Sequence, residues 1–412
     1  MNDRGAVGSI RIVMLEGKMS TPPDDAKGLR IAFFAGTMRP GHDGVTRVLY
    51  KMIEYLGRRG IQQVFFSPII PEPSTDLPPM YKAPSFPFPL YKDYRVAYPG
   101  KKYIEDVLGD FDPDLIHIHT PCSLGYAAVK YGKRRKIPVV ATYHTHFLSY
   151  ARYYKVQALQ SITWKYFRGL YNACERVFIP SLPILHELAE HGLAHLEHLP
   201  HGVDCEAFHP GFRSNEWKQR LGLEGKTVLL FAGRLVWEKD LRTLAAASEI
   251  LRSMRGDMAF VLVGDGPARA ELELMMPGAT FLGQQSGRDL AATFASSDML
   301  VFPSTTETFG NVIIEAMASG IVPVCAHEGG ASGVVRNFET GLLAEPRDPL
   351  DLARKIAYCA DHPDRRTHMA GQALTFAQEH TWDRVLAQLV DSYRDVVDAY
   401  DRPSTRRQKR AA

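Results

Sequence analysis

Residues 299–320 read MLVFPSTTETFGNVIIEAMASG and contain a complete strand, loop and helix. The apolar run Met299–Phe302 is typical of a buried strand, a polar loop follows, and an apolar helix is predicted over Asn311–Ala318. The same order recurs through the second half of the chain. The further strands predicted there are Val228–Phe231, Phe260–Val263 and Val322–Cys325, and the further helices are Leu241–Met254, Ala268–Met275 and Leu350–Ala360.

The first half of the chain repeats this alternation, which predicts an α/β protein of two Rossmann-like, doubly wound domains with parallel sheets. In such sheets ligands bind beyond the carboxyl ends of the strands, so the loops that follow strands are the candidate sites. Strands are predicted at Ile31–Ala35, Gln63–Ser67, Leu115–His119, Val139–Thr142 and Arg176–Ile179, and helices at Val45–Arg59 and Leu124–Tyr131.

Changes in pattern along the chain predict the domain boundaries. The predicted units are a poorly ordered lead-in at 1–28, a first domain at 29–204, a second domain at 205–382, a helix at 383–400 that packs back on the first domain, and a basic tail at 401–412. The stretch 68–99 is rich in proline and aromatic residues, and we do not expect it to be regular throughout.

The composition is that of a globular protein with large cores: 45% of the 412 residues are hydrophobic and the formal net charge is only +3. Five scattered cysteines without a CxxC pair favour a reducing compartment over a disulfide framework. There is no signal-type N-terminus and no run of about 18 apolar residues. We therefore expect a cytoplasmic protein, or one attached peripherally to the inner face of the membrane.

Basic residues cluster in one stretch near the end of a predicted helix, and again in the tail. Such clusters are either solvated chain ends or contacts with anionic lipid head groups. An aromatic and basic stretch at 147–154 also has two interpretations, which are ordinary packing and contact with a lipid or sugar acceptor. The basic residues are Lys130, Lys133, Arg134, Arg135 and Lys136 in the first stretch, and Arg406, Arg407, Lys409 and Arg410 in the tail.

The loop after Phe302 carries the strongest candidate site. It contains Glu307, and Gly310 and Asn311 open the next helix, whose free N–H groups would suit a diphosphate. Glu315 lies in that helix among apolar neighbours, where a carboxylate is costly unless hydrogen-bond donors meet it. A ribose diol supplies two donors. The alternative is a buried glutamate paired with an arginine or a backbone group.

A second loop, after the strand Val228–Phe231, contains Gly233, Arg234 and Lys239. Its two cations suit a diphosphate that leaves with negative charge, although a surface salt-bridge loop would look the same. A third loop contains Asp265, which is as suited to capping the next helix as to touching a ligand.

Two loops of the first half also carry polar residues. The loop Gly41-His42-Asp43-Gly44 allows a ligand to approach the backbone, but it lacks the GxGxxG dinucleotide fingerprint. His117 and His119 share one face of their strand, and His144 and His146 follow the next strand. No cysteine or carboxylate has partner spacing for zinc. We predict no metal site, and a polar role for His144 beside the reacting sugar or the acceptor.

Together these loops resemble the retaining glycosyltransferases of the GT-B fold, in the family called group 1 or family 4. The resemblance spans roughly residues 30–400, and its motifs occur in the family's order. It rests on the E-x7-E motif of Glu307 and Glu315, the Gly-Arg-x4-Lys loop at 233–239, the GDGP turn at 264–267 and the HGVD sequence at 201–204. The fold that it implies has two Rossmann-like domains facing a central cleft.

The resemblance implies a role for each matching residue, in a reaction without a metal or other cofactor. Glu315 would bind the ribose hydroxyls, and Glu307 would contact hydroxyls of the donor sugar. Arg234 and Lys239 would hold the diphosphate and stabilise its departure. The remaining residues expected at the donor are Gly44, His144, Gly233, Asp265, Phe309, Gly310 and Asn311. The chain departs from the family where Asp43-Gly44 replaces the commoner Gly-Gly.

The predicted reaction is the transfer of a hexosyl group, with retention, from a nucleoside diphosphate sugar such as GDP-mannose or a UDP-hexose. Residues 142–146 and 208–214 resemble enzymes that glycosylate diacylglycerol or related lipids, so the expected acceptor is a membrane lipid or a glycan, and nucleic acid is not an expected partner. Three alternatives remain: a transferase for soluble sugars or polysaccharides, a GT-B-like epimerase or phosphorylase, and a non-catalytic binding protein. A dehydrogenase is disfavoured by the missing fingerprint.

Overall fold

The structure is a computed structural model that describes residues 10–12, 28–40, 44–88, 91–144 and 160–400. Ten strands lie in the first half of the chain. Their bounds are β1 Ile10–Ile12, β2 Arg30–Phe34, β3 Gln62–Ser67, β4 Met80–Lys82, β5 Ser85–Phe88, β6 Tyr91–Ala97, β7 Leu115–Ile118, β8 Val139–Thr142, β9 Arg176–Ile179 and β10 Leu196–His198.

Six strands lie in the second half and form a separate sheet. Their bounds are β11 Thr227–Ala232, β12 Met258–Val263, β13 Thr280–Gly283, β14 Met299–Phe302, β15 Val322–Ala326 and β16 Leu342–Ala344. The first sheet runs β1-β10-β9-β8-β7-β2-β3-β4 and the second runs β13-β12-β11-β14-β15-β16. Every pairing within these two sheets is parallel. The predicted pair of parallel, doubly wound domains is therefore confirmed.

Helices cover the faces of both sheets. Those of the first half are α1 Gly44–Arg58, α2 Lys101–Phe111, α3 Ser123–Arg135, α4 Gln160–Tyr171 and α5 Leu182–Glu190. Those that follow are α6 Asn215–Arg220, α7 Leu241–Met254, α8 Arg269–Met275, α9 Gly287–Ser296, α10 Asn311–Ala318, α11 Ala331–Val334, α12 Pro349–Asp361, α13 Pro363–Glu379 and α14 Trp382–Ala399.

The strands β1, β4, β5, β6, β10, β13 and β16 have no counterpart among the predicted strands. Strands β5 and β6 pair as an antiparallel hairpin inside the proline-rich stretch, and they form a two-stranded sheet of their own. A proline is tolerated in such a sheet because every strand is an edge strand. Strand β1 lies inside the predicted lead-in and pairs with β10. The other residues of the lead-in up to residue 27, and the basic tail, lie outside the described residues.

Each sheet reverses its strand order at one point, and these points locate the site. In the first sheet the chain winds outward from β2 to β4, then returns to place β7 on the other side of β2. In the second sheet β14 joins the free side of β11 in the same way. Ligands of parallel sheets bind at such reversals, beyond the carboxyl ends of the strands. The loops after β2, β7, β11 and β14 are therefore the ones that matter.

The chain crosses between the domains twice, and the two crossings lie against each other. Val203 forms a parallel bridge with Thr381, and its N–H donates to His380 O at 2.9 Å. Helix α14 then packs an apolar stripe at i, i+4 spacing, which includes Leu389 and Tyr393, into the core of the first domain. The second crossing therefore ends in a helix that is anchored on the first sheet.

Gly202 is the tightest point of the crossing, and we expect Gly202→Ala to destabilise the protein. A Cβ at this position would stand 2.5 Å from the Cα of Trp382 and 2.6 Å from its N. Overpacking of this kind costs about 1–3 kcal/mol. The cost arises because the two nearest atoms belong to the backbone of Trp382, which cannot rotate away as a side chain can. Thermal unfolding followed by circular dichroism measures the loss. Gly371→Ala is the matched control, since Gly371 is a helical glycine with nothing within 4 Å of its Cβ position. A Gly202→Ala variant as stable as that control would contradict the tight crossing.

Candidate functional site

The loop between β14 and α10 holds Glu307 in a fixed, charge-compensated position. Glu307 Oε1 accepts a hydrogen bond from Ser304 Oγ at 3.0 Å and forms an ion pair with Lys239 Nζ. Only about a sixth of either charged side chain is exposed, 17% for Glu307 and 18% for Lys239. Gly310 closes the loop at φ +92°, a conformation that favours glycine. The loop therefore presents a carboxylate and an ammonium group as one unit.

A second contact ties the Lys239 loop to the Glu307 loop. Asp240 follows Lys239 in the left-handed region at φ 54°, and its Oδ2 accepts bonds from Thr305 N at 3.1 Å and from Thr305 Oγ1 at 2.6 Å. Arg347 reinforces the junction by donating to Thr305 Oγ1 at 2.9 Å. Burial raises the pKa of Asp240, and the bonds from Thr305 oppose that rise. The position of Lys239 is therefore set by two loops.

Arg234, Gly233 and Asp265 lie at the ends of the neighbouring strands β11 and β12. The Arg234 side chain is 55% exposed and pairs with Glu238 at 3.4 Å. The two glycine-containing turns touch, because a Cβ on Gly264 would stand 1.9 Å from Gly233 O. Asp265 accepts from Gly266 N at 2.8 Å and does not cap α8. This packing requires glycine at position 264, whereas a Cβ on Gly233 would make only ordinary contacts.

Glu315 pairs with an arginine, which is the alternative to a ribose partner that its sequence context left open. It is buried in α10, 9% exposed, and burial raises its pKa while Arg47 opposes the rise. Arg47 Nη1 lies 3.3 Å from Glu315 Oε1. Arg47 belongs to α1 of the first domain, so the carboxylate faces the other domain, on the side where the loops meet. Its protein cation is half-exposed, with 49% of the side chain accessible.

The N-termini of α1 and α10 lie side by side across the two domains. A Cβ on Gly44, the first residue of α1, would stand 3.5 Å from Asn311 Nδ2 at the start of α10. Asn311 Oδ1 pairs with His201 Nδ1 at 2.8 Å, and the ring of Phe309 lies 5.0 Å from the ring of His201. Two helix N-termini in one place form a seat for anions. Gly41, His42 and Asp43, also candidates, lie outside the described residues.

Three histidines of the first domain are buried near these N-termini. His119 Nδ1 lies 2.7 Å from His144 Nε2, and His117 bonds Thr142 and Tyr393. Burial lowers the pKa of each histidine well below its usual value, and a neighbouring histidine lowers it further, so all three are neutral. His144 O accepts from Thr308 Oγ1 of the second domain at 2.6 Å. His146 and the stretch 147–154 lie outside the described residues.

The structure thus brings together most of the predicted site residues. Glu307, Lys239, Glu315, Asn311, Gly44 and His144 come from both domains and meet at the carboxyl ends of the two sheets. The sequence analysis did not identify Arg47, Thr308 or Asp240. Arg47 occupies an exposed position of a helix and the other two lie in loops, and no motif marks them. No three His, Cys, Asp or Glu side chains within the described ranges are grouped to hold a metal ion.

The sequence matches two family models, one for each domain. The model described as Glycosyltransferase Family 4 matches residues 42–207, and that described as Glycosyl transferases group 1 matches residues 213–375. The two matches leave only five residues between them. The first match ends at residue 207 and the second begins at residue 213.

Several known proteins are similar over most of the chain. The GDP-mannose-dependent alpha-mannosyltransferase of Corynebacterium glutamicum is 30% identical over 375 residues, which cover 90% of this chain and 89% of that protein. The alpha-monoglucosyldiacylglycerol synthase of Streptococcus pneumoniae is 27% identical over 321 residues, covering 73% and 71%. Sucrose-phosphate synthase from Thermosynechococcus elongatus superposes with a TM-score of 0.74 at 20% identity, over 90% of this chain and 100% of that chain, a likeness of fold alone.

Proposed function

This chain belongs to the group 1 glycosyltransferases, as its match to a mannosyltransferase over 90% of the chain shows, and we propose that it transfers a hexosyl group to a hydroxyl of a membrane lipid. The proposed transfer proceeds with retention and without a metal. The donor is a nucleoside diphosphate sugar, with GDP-mannose as the first candidate. The observation that carries the proposal is the pairing of Lys239 with Glu307 beside the two helix N-termini.

The proposed chemistry follows from where positive charge is available. The bond between the anomeric carbon and the phosphate oxygen breaks, and its electrons go to the phosphate. Lys239, Arg234 and the N-terminus of α10 stabilise that charge by preorganised electrostatics. The acceptor hydroxyl forms the new bond from the same face, and its proton passes to the leaving phosphate. Glu307 is already engaged by Lys239 and Ser304, which supports this route over attack by an enzymic carboxylate.

The choice of donor and acceptor is supported by the relatives. The Corynebacterium protein is named for its dependence on GDP-mannose, and the Streptococcus protein is named for a diacylglycerol product. None of the described helices is long and apolar enough to cross a membrane. We propose that a lipid acceptor is reached at the membrane surface, through a face of the first domain.

Helix α3 and its neighbour α4 offer such a face. The basic side chains of α3 are exposed, and Lys130 Nζ lies 4.5 Å from the ring centroid of Tyr126. Tyr126 is 44% exposed and Ile162 on α4 is 65% exposed. Exposed aromatic and aliphatic groups beside cations suit the head-group region of an anionic bilayer. The five basic residues are Lys130, Lys133, Arg134, Arg135 and Lys136.

The function is tested by incubating the protein with a panel of GDP- and UDP-sugars and a membrane lipid extract, followed by mass spectrometry of the products. A hexosyl lipid formed from one donor, with the donor's anomeric configuration in its NMR spectrum and undiminished yield in EDTA, is the expected result. A product found only on soluble sugars would exclude the lipid acceptor. Inversion, or loss of activity in EDTA, would exclude the proposed mechanism.

The membrane face gives a separate prediction. We expect reversal of two charges, Lys133→Glu with Arg135→Glu, to weaken binding to phosphatidylglycerol vesicles by about thirty-fold or more, since each basic residue contributes about 1 kcal/mol at such a surface. Co-sedimentation measures it. The matched control is Arg220→Glu with Lys226→Glu, two exposed cations of the second domain. Equal binding by both double variants would contradict the assignment of the face.

A further inference from the structure

Two of the buried histidines are bonded to each other and leave one ring nitrogen each without a partner. His119 Nδ1 and His144 Nε2 are 2.7 Å apart. Within the part of the chain that the structure describes, His119 Nε2 and His144 Nδ1 are buried and make no hydrogen bond. His117, two residues before His119, differs because Tyr393 and Thr142 engage both of its nitrogens. The His119–His144 pair is therefore incomplete at both ends.

A neutral imidazole carries one N–H donor and one bare acceptor nitrogen, which leaves two arrangements for the pair. In the first, His119 donates from Nδ1, and His144 accepts at Nε2 and carries its own proton on Nδ1. In the second, His144 donates from Nε2, and His119 carries its proton on Nε2. Each arrangement has one unpaired N–H, at His144 Nδ1 in the first and at His119 Nε2 in the second.

The surroundings of the two unpaired atoms decide between these arrangements. His119 is 2% exposed and lies between the rings of Phe33, at 5.8 Å, and His117, at 3.9 Å. An N–H there has no acceptor among the described residues, and orphaned buried donors are rarer than orphaned acceptors. His144 is 7% exposed and lies where the domains meet, since its carbonyl accepts a bond from Thr308.

We propose that His119 is a positioning residue, which holds His144 in the tautomer with its proton on Nδ1. His144 then donates a hydrogen bond from Nδ1 to a hydroxyl oxygen of the transferred sugar. This inference rests on the proposed function, because the sugar completes the unpaired donor. The substrate site thereby receives a neutral, fixed donor that does not exchange protons with the reactants.

The low pKa of the pair agrees with this role. Burial lowers the pKa of both rings well below the usual histidine value, and each lowered pKa is reduced further by a neighbouring histidine, His117 for His119 and His119 for His144. If both rings were protonated, two donors would face each other and the bond between His119 and His144 would be lost. In the neutral pair, the proton that His119 donates from Nδ1 leaves the single proton of His144 on Nδ1.

The test uses the full-length protein labelled with 15N-histidine. Long-range proton–nitrogen correlation spectra distinguish protonated from bare ring nitrogens, and the His144 signals are assigned by their loss in His144→Asn. In the wild type we expect the proton on Nδ1 of His144. His119→Leu removes the donor, and we expect the His144 proton to move to Nε2 and kcat for sugar transfer to fall about tenfold, as for the loss of one hydrogen bond.

Two variants separate positioning from structural support. His119→Asn keeps an N–H donor close to the position of Nδ1, and we expect it to restore the wild-type tautomer and most of the turnover. Tyr393→Phe breaks a bond in the same cluster but leaves the His119–His144 pair intact, so we expect neither readout to change. A bare Nδ1 in wild-type His144, or full turnover in His119→Leu, would overturn the inference. A wild type that transfers no sugar would instead refute the proposed function, and the spectra would still decide the tautomer.

Discussion

Lys239→Ala is expected to lower kcat for sugar transfer by about 10²- to 10³-fold, the usual loss when one preorganised group at a developing negative charge is removed. The side chain is only 18% exposed, and two loops fix its position through Asp240 and Thr305. We therefore expect its charge to act on a departing phosphate with little reorganisation. Steady-state kinetics with the donor found in the panel, at saturating acceptor, measure kcat and KM separately.

The controls for Lys239 use its partner and its neighbour. Lys239→Arg keeps the charge, and we expect it to retain more activity than the alanine variant. Arg234→Ala should lose less than Lys239→Ala, because the Arg234 side chain is 55% exposed and solvent screens its charge more strongly. Lys239→Ala also leaves the carboxylate of Glu307 uncompensated, so the pair should be measured in a double-mutant cycle with Glu307→Gln. Near-normal kcat in a folded Lys239→Ala variant would remove the charge-stabilising role.

The fold was predictable because its signals are local. Apolar runs of four to six residues alternate with amphipathic helices, and both sheets are parallel as that alternation requires. The hairpin of β5 and β6 was not predictable, because its prolines are typical of irregular chain. Strand β1 was missed for a similar reason: it has three residues, and its pairing with β10 joins positions almost 190 residues apart.

The sequence predicts the residues of each loop of the site separately, but not the contacts between the loops. Glu307 and Lys239 each stand out in their own loop, and the rule for parallel sheets brings them to one edge. Nothing in the sequence shows that they pair, or that Arg47 reaches Glu315 from the other domain. The same holds for His119 and His144, whose bond depends on the register of β7 and β8. Contacts between elements are tertiary information, which no periodic pattern carries.

Three contacts between the domains lie in the region that we propose for the donor. Arg47 pairs with Glu315, His201 with Asn311, and Thr308 with the carbonyl of His144. All three involve the loop and helix at 303–318, which is the part of the second domain that we assign to the donor. A nucleoside bound at Glu315 would compete with Arg47 for the carboxylate. We therefore expect donor binding and the contact between the domains to be coupled.

Glu315→Ala is expected to lower kcat/KM for the donor by about 10²-fold or more, since a ribose diol would lose two hydrogen bonds to a charged acceptor. The pKa of Glu315 is raised by burial, so the carboxylate protonates as the pH falls through that raised value, and donor binding is lost with it. Arg47 opposes the rise. Arg47→Ala should therefore raise the pKa further and move the acid limb of the kcat/KM profile to higher pH.

Glu315→Gln separates the role in binding from the role in folding. A carboxyl group with a raised pKa in the folded state binds protons more tightly there than when unfolded, so it reduces stability as the pH rises past its unfolded pKa. We therefore expect Glu315→Gln to be more stable than the wild type at neutral pH in thermal unfolding, and poorer in kcat/KM. If Glu315 served only the ion pair between the domains, Arg47→Ala would reproduce the full loss of activity. If Arg47→Ala and Glu315→Gln lost kcat/KM equally at neutral pH, the ribose contact would be refuted, because Arg47→Ala leaves the carboxylate in place.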